Sequence, residues 1–358
     1  MGRHRDGGVL HSPHGPGAAR FLAGGLLVGQ PVSARAIPPP LRACVYLAAL
    51  LALGACSPHD PEPVAAAPPV GDQARRVSYG ALPPELAPYT DKIDASRLAY
   101  IDITLKAAQR LAPWNSRLGG PAYLPKGHAY PRDPDGVPLA LLAQLNFAEM
   151  PALDGYPATG LLQFFIAGGE SRAHSYGSAP DFPSPFDEQR YLALLSAQRY
   201  FRVVHHPRVE QNPQKLVRPH AAPVDALPFS GTAGLVFKID TAPVSVDDYR
   251  FERYLGKPRS DFFRQFGVLG TDLLVEYAHY ANKEVVAQVG GYSNPAQDDP
   301  RASWPDDDWI VLLELHGSEA DQGLRMMWGD MGMGAFYIRR NDLQRRDFSK
   351  VLYYVDSH

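Results

Sequence analysis

Cysteine is nearly absent: the chain has two, Cys44 and Cys56, both ahead of any segment that reads as folded. The rest of the chain therefore holds no disulfide, no thiolate zinc site and no thiol nucleophile. The signatures of common chemistries are missing as well. There is no His-Glu-x-x-His, Gly-x-Ser-x-Gly, Walker loop or dinucleotide fingerprint, which argues against the common hydrolase and nucleotide-dependent classes. No cofactor and no metal site is expected. Basic stripes are lacking too. Net charge is −3; residues 1–55 carry five arginines against Asp6, a balance of +4 that leaves the remainder at −7. A mildly acidic body offers no general attraction to nucleic acid, and no nucleic-acid partner is expected.

What is present at the N-terminus reads as an export signal. Arg42 precedes the apolar run Ala43–Leu53, which ends in Leu53-Gly54-Ala55-Cys56-Ser57. A positive residue, a short apolar run and a small-residue cleavage site describe a signal peptide; the run falls short of the ~20 residues that span a bilayer. Leu-Gly-Ala-Cys resembles a bacterial lipobox. The resemblance implies lipidation of Cys56, cleavage before it, and a membrane anchor through two or three acyl chains. Ser57 is not the aspartate of an inner-membrane retention signal, so the expected address is the outer membrane, facing the periplasm. Residues 1–31 are too long and too rich in Gly, Pro, Arg and His for an ordinary leader, and Val32 is read as the candidate start.

Three regions follow: a signal region over 1–55, the lipid-anchored Cys56 with a flexible Pro/Ala linker over 56–95, and an α+β domain over 96–358. Within the domain, Leu98, Ile101, Leu105, Ala108 and Leu111 recur at three- and four-residue steps, which predicts a helix capped by Ser96 and stopped by Pro113. Val137–Phe147 and Gly160–Ile166, bounded by Gly, Pro and Asp clusters, predict paired antiparallel strands. Asp187 is placed to cap a helix over Glu188–Gln198, followed by a strand over Tyr200–His205. Residues 207–232 read as surface loop and Leu235–Ile239 as a short strand. Helices are predicted over Val246–Leu255, Asp261–Phe266 and Thr271–Ala281, then strands and turns to the C-terminus.

The last part repeats the first in outline. Gly119-Gly120, Tyr130-Pro131, Leu141–Asn146 and Gly160–Ile166 match Gly290-Gly291, Trp304-Pro305, Val311–His316 and Gly334–Ile338 in order and character. Either the chain holds an internal duplication, with two related β-rich halves, or two ordinary hairpins look alike.

Several of these residues form further motifs: Gly119–Pro125, Pro138–Asn146, Gly160–Phe165, Val289–Tyr292, Trp328–Gly332, and Asp342-Leu343 with Asp347-Phe348. In this order they resemble the YwqG-like family, a bacterial domain of unknown function. The resemblance implies an α+β fold with antiparallel sheets. It establishes no activity, and it points to protein binding of a toxin-immunity kind. The chain departs from the family pattern at Glu314 and His316, and again in Tyr-Ser-Asn-Pro after Gly291.

Gln144 and Asn146, two apart on a strand, point to one face, and Glu314 and His316 hold the matching positions in the later series. One reading has the four flooring a polar pocket, where a carboxylate and an imidazole are able to do acid–base work. The other has them capping exposed faces or bonding neighbouring backbone. Trp328 and Asp330 open a Gly-rich turn through Gly334, read as a tight hairpin rather than a phosphate cradle. Met326, Met327, Met331 and Met333 are read as core filler in preference to a copper site. His205 and His206 point to opposite faces, so with Glu210 they are read as surface residues. The expectation is an envelope-anchored, non-catalytic binding module with a protein partner such as a toxin. The alternative is an envelope enzyme or small-ligand binder using Gln144, Asn146, Glu314 and His316.

Overall fold

The computed structural model describes residues 80–107, 110–168, 175–178, 185–218, 227–319 and 325–357. The elements below belong to the compact unit Gln73–His358. Among the described residues thirteen strands run β1 (Leu98–Ala107), β2 (Arg117–Gly119), β3 (Ala140–Asn146), β4 (Leu161–Ile166), β5 (Phe201–His206), β6 (Phe229–Ser230) and β7 (Thr232–Ala242). They continue as β8 (Ala287–Gly290), β9 (Trp309–His316), β10 (Ser318–Glu319), β11 (Arg325–Met326), β12 (Met333–Arg339) and β13 (Leu352–Asp356). The helices are α1 (Thr90–Ala95), α2 (Glu188–Leu195), α3 (Phe251–Leu255), α4 (Arg259–Arg264), α5 (Gly270–Asn282) and α6 (Arg340–Arg345). The fold is mixed α+β. None of the described helices is long and apolar enough to cross a membrane.

Ten strands form one antiparallel sheet in the order β13-β12-β9-β8-β1-β7-β2-β3-β4-β5. Its two ends face each other: Phe164 of β4 lies 4.7 Å from Phe336 of β12, and Phe201 of β5 lies 5.2 Å from Tyr353 of β13. The inner face thus closes on one apolar core that includes Ile101, Ile103, Leu145, Leu162, Leu315 and Ile338. β3 and β4 are buried along their whole length, which is why both read as near-continuous apolar runs rather than alternating ones. A second core lies under the helices, where Leu86, Ile93, Phe251, Phe262, Leu273 and Tyr277 pack together. Leu273, Tyr277 and Ala281 recur every fourth residue and give α5 its buried stripe.

The sheet reads alike from either end. Outward from the central β1–β7 pair, β2-β3-β4-β5 lie on one side and β8-β9-β12-β13 on the other. Both short inner strands, β2 and β8, end in a glycine of positive φ that is followed by another. A Cβ on Gly120 would lie 2.5 Å from Thr232 Oγ1, and one on Gly291 2.8 Å from Tyr100 Cβ, so side chains are excluded at both positions. Both long ladders bulge at a leucine: Leu142 interrupts β3–β4 and Leu312 interrupts β9–β12. Each leucine lies two residues before the polar side chain of its strand, Gln144 or Glu314.

Several expectations are corrected. The predicted helix from Ser96 is instead β1, whose ten residues pair with β7 from Leu98↔Ala242 to Ala107↔Ala233. Tyr100, Ile101, Ile103 and Thr104 favour a strand, and the cross-strand ladder overrides the helical spacing. Ser96 ends α1 instead of starting a helix; its hydroxyl donates to Ile93 O at 2.6 Å and accepts Val244 N at 2.9 Å. The linker does not run to residue 95: Pro84–Tyr89 and α1 are helical, with Leu86 and Ile93 buried in the second core. Their apolar side chains find a partner surface on α3 and α4 that the local Pro-rich composition does not reveal. The predicted helix over Val246–Leu255 is cut to Phe251–Leu255, because the buried carboxylate of Asp248 shapes a turn before it. The paired strands β3 and β4 match expectation, as does α2, whose Asp187 accepts Arg190 N at 2.7 Å.

Candidate functional site

Glu314 stands on the outer face of β9, fully buried. Its Oε1 accepts the backbone N–H of Asn294 at 3.1 Å and His316 Nε2 at 2.9 Å, with Gln288 Nε2 at 3.4 Å. Its Oε2 accepts the hydroxyl of Ser293. A carboxylate only accepts, so His316 carries its proton on Nε2 and Ser293 must donate. The Tyr337 hydroxyl then donates to Ser293 Oγ at 2.7 Å. Burial pushes the Tyr337 phenol far above its ordinary value, reinforced by the charge on Glu314, so it remains a donor.

Beneath this chain lies a buried ionic network. Asp248 takes Arg250 through Nε and Nη2, both at 2.8 Å, and Arg301 Nη2 at 2.8 Å. Asp299 takes Arg301 Nε at 2.9 Å and Nη2 at 2.6 Å. Burial would push the Asp248 carboxyl up; the two guanidiniums outweigh it and hold the group well below the usual carboxylate range. Arg301 Nη1 is buried without a hydrogen-bond partner. The guanidinium instead sits between the rings of Tyr249 at 4.9 Å and Tyr337 at 4.5 Å, whose faces attract it. The network reaches the site through Ser293, whose N–H donates to Asp248 Oδ2 at 3.0 Å. Ser293 is thus pinned at its backbone by one carboxylate and at its hydroxyl by another.

Two cavities meet at His316. One, about 70 Å³, is walled by Tyr100, Ala242, Pro243, Ala281 and Tyr292, with Gln288, Asn282 and Glu314 supplying polar groups. The other is an open groove of about 400 Å³ running past Pro295, Ala296, Gly317, Met331 and Met333. Glu284, Val285, Asn294 and His316 line both. Among the described lining residues there are carboxylates, amides and one imidazole, and no lysine or arginine. Lys283, the cap after α5, and Glu284, which follows it at the lip, adopt successive left-handed conformations at φ 48° and 51°; Lys283 itself is paired with Asp240 and lines neither cavity. Non-glycine residues take that region at a cost, and such strain collects where a surface must present a side chain in a fixed direction. Ser245, the serine of the lining, donates its hydroxyl to Asn294 Oδ1 at 3.1 Å.

Gln144 and Asn146 do not join this site. Four strands (β8, β1, β7 and β2) separate β3 from β9 in the sheet. Gln144 Oε1 accepts Tyr123 N at 3.0 Å and Gln163 Nε2 at 2.9 Å, while its Nε2 donates to Pro113 O at 2.9 Å and Asn115 O at 2.8 Å. Asn146 accepts Ala148 N at 3.1 Å and donates to Trp114 O at 3.1 Å. Both are buried and satisfied by the loop that covers them. The four-residue pocket is therefore replaced by two separate clusters, because the loop after Pro113 covers the first and takes up its hydrogen bonds.

Trp328 is fully buried, and a Cβ on Gly334 would lie 2.8 Å from its indole; Asp330 is exposed on the turn. The turn does not close a hairpin. It carries the chain from β11, in a three-stranded sheet with β10 and β6, to β12 in the large sheet. His206 is buried rather than on the surface, its Nε2 3.0 Å from Gln163 Oε1 and its ring against Tyr123 at 5.1 Å. The covering loop that satisfies Gln144 also encloses it. Met326 and Met333 are buried, while Met331 is half exposed in the groove. Cys56 lies outside the described residues. Ser293, Asp248, Arg250, Asp299 and Arg301 were not foreseen; only the Tyr-Ser-Asn-Pro departure after Gly291 drew attention to the first of them.

The chain belongs to the family described as Domain of unknown function (DUF1963), which matches residues 116–357. YwqG-like is consistent with it as a family name. No curated protein matches the chain.

Proposed function

We propose that this chain is a non-catalytic binding protein of the bacterial cell envelope, anchored by lipid on Cys56, whose groove at His316 receives a segment of a protein partner. The observation that carries the binding site is the junction of a small walled cavity with an open groove at one histidine. A concave site with a few converging polar groups is the ordinary form of a recognition pocket. The anchor rests on Leu53–Cys56 and the apolar run before it. A protein toxin, bound and neutralised here, is the partner class that the family resemblance favours.

Crosslinking tests the groove. With p-benzoylphenylalanine at Val285 of the full chain in the source cell, one protein should be captured. The same group at Val236, an exposed position on β7, should capture none. Capture from Val236 alone moves the interface and overturns the groove. The anchor is tested by metabolic labelling with an alkyne fatty acid: Cys56→Ser should lose the label, and a labelled variant removes the lipidation.

We further propose that the two β-rich halves descend from a duplication. The mirrored strand order, the paired glycines and the matching bulges support this reading. Superposing β2, β3, β4 and β5 on β8, β9, β12 and β13 must place Gly119 on Gly290 and Gln144 on Glu314. A better fit in another register removes it.

A further inference from the structure

We infer that the walled cavity binds a primary ammonium group, the head of a lysine side chain from the segment lying in the groove. The inference rests on the proposed groove and adds the chemistry of what enters it. Three observations carry it.

The first is the unused hydrogen-bonding capacity. Gln288 is buried and gives its amide nitrogen to Tyr292 O at 2.5 Å and to Glu314 Oε1. Both partners are acceptors, which fixes the amide's orientation and leaves Gln288 Oε1 as an acceptor with no hydrogen bond among the described residues. Asn282 likewise donates through Nδ2, to Asn294 Oδ1 at 2.7 Å, and its Oδ1 makes none. Ser245 gives its hydrogen to Asn294 and His316 Nε2 gives its own to Glu314, while the Asn294 amide nitrogen and the Tyr100 hydroxyl make no hydrogen bond among the described residues. Beside these stand the two free amide oxygens and the carboxylates of Glu284 and Glu314, so acceptors and negative charge predominate in what the cavity offers a ligand. An ammonium has three donors and no acceptor, whereas a carboxylate or phosphate would find oxygens facing oxygens.

The second is charge. Glu314 at the floor is neutralised by no lysine or arginine, and Glu284 at the lip makes no ion pair among the described residues. The third is size. Some 70 Å³ is about two waters' worth at roughly 30 Å³ each, enough for an ammonium with a methylene or two and less than the 150 Å³ or so that holds benzene. The apolar walls of Tyr100, Pro243 and Tyr292 suit the methylene stem, and the lysine's backbone would lie in the groove.

The test is a titration of the full-length protein, labelled with ¹⁵N-histidine, against acetyl-Gly-Ala-Lys-Ala-Gly-amide and the same peptide carrying norleucine. The lysine peptide should shift the His316 ring resonances and bind at least tenfold more tightly than the norleucine peptide. Its affinity should fall with added salt. Glu284→Gln, a change at an exposed residue, should weaken the lysine peptide severalfold and leave the norleucine peptide unchanged. Equal binding of both peptides with shifts at His316 overturns the ammonium while leaving the groove standing. Shifts from neither peptide at millimolar concentration, together with crosslinking from Val285, likewise overturn the ammonium alone. Failure of both experiments removes the groove as well.

Discussion

The two polar positions on the outer face of the sheet sit in nearly the same frame and do opposite things. On β3, Gln144 pairs across the ladder with Arg117; on β9, Glu314 pairs with Gln288. In each case a side-chain oxygen accepts the backbone N–H of the third residue after the glycine pair, Tyr123 at 3.0 Å or Asn294 at 3.1 Å. There the likeness stops. The first position is neutral beside a buried guanidinium, and its amide nitrogen ties down two backbone carbonyls. The second is a buried carboxylate whose remaining partners are a hydroxyl, an imidazole and the Gln288 amide. An amide supplies both donors and acceptors, so it stitches a loop onto the sheet and closes the surface. A carboxylate has no donor, cannot satisfy loop carbonyls, and a cavity stands beside it. The difference teaches that one side-chain atom decides whether this frame becomes core or pocket.

The largest expected effect comes from the support under the second position. Arg301→Met leaves Asp248 and Asp299 buried with one cation, Arg250, beside them. Removing one partner of a buried ionic network costs roughly 3–5 kcal/mol, read as a lower urea midpoint with unchanged slope. A loss near zero would mean that the network does not hold the pocket. Next comes Gln144→Glu, which gives the first position the chemistry of the second. Pro113 O and Asn115 O lose their donors and face a carboxylate, at a cost of about 2–4 kcal/mol for the unsatisfied groups. Arg117 is close enough to offset part of it; retained stability would show that the guanidinium, not the amide, governs that site.

Acid should separate the two halves. His206, enclosed beside Gln163, has its pKa lowered to about 4 by burial, then by His128 and His205. An unfolded histidine titrates near ~6.5, so between that value and 4 the unfolded chain binds the extra proton and stability falls as pH falls. The loss is at most ~3.5 kcal/mol, 2.5 pH units at about 1.4 per unit, and His206→Gln should flatten the midpoint over that window. Asp248 acts lower. Its depressed pKa contributes stability that is intact above the ordinary carboxylate range and is lost as pH falls below it. Hydrogen exchange followed by residue should therefore show β4 and β5 opening before β9 and β12 on acidification; simultaneous opening breaks the comparison.

Much of this was legible and some was not, for reasons that follow from range. β3 and β4 announce themselves because turn residues bound two short apolar runs, and α2 because Asp187 caps it locally. β1 hides because Leu98, Ile101 and Leu105 fit helical spacing equally well; its partner β7 is more than a hundred residues away and decides the matter. Glu314 and His316 stand out as polar residues two apart in an apolar strand. Ser293 and Arg301 do not, since what gives them meaning is Asp248, 45 and 53 residues earlier.

The smallest effect is the most telling. Glu314→Gln gives the second position the chemistry of the first, and on the geometry it should cost no more than about 1 kcal/mol, the worth of one exchanged hydrogen bond. Gln at 314 keeps Oε1 for Asn294 N and His316 Nε2. Its new N–H₂ meets Ser293 Oγ, and a hydroxyl, unlike a carbonyl, turns to accept what it formerly donated to. Ser293 then donates to Tyr337, reversing the chain without moving a heavy atom. The first site has no such freedom, because Pro113 O and Asn115 O are fixed acceptors. Stability should therefore respond unequally to the two reciprocal substitutions, several-fold more to Gln144→Glu. Lysine-peptide binding should respond to Glu314→Gln, through the lost charge, with the fold intact. If Glu314→Gln proves as damaging as its reciprocal, the carboxylate is a structural group like Gln144, and the pocket beside it loses its chemistry.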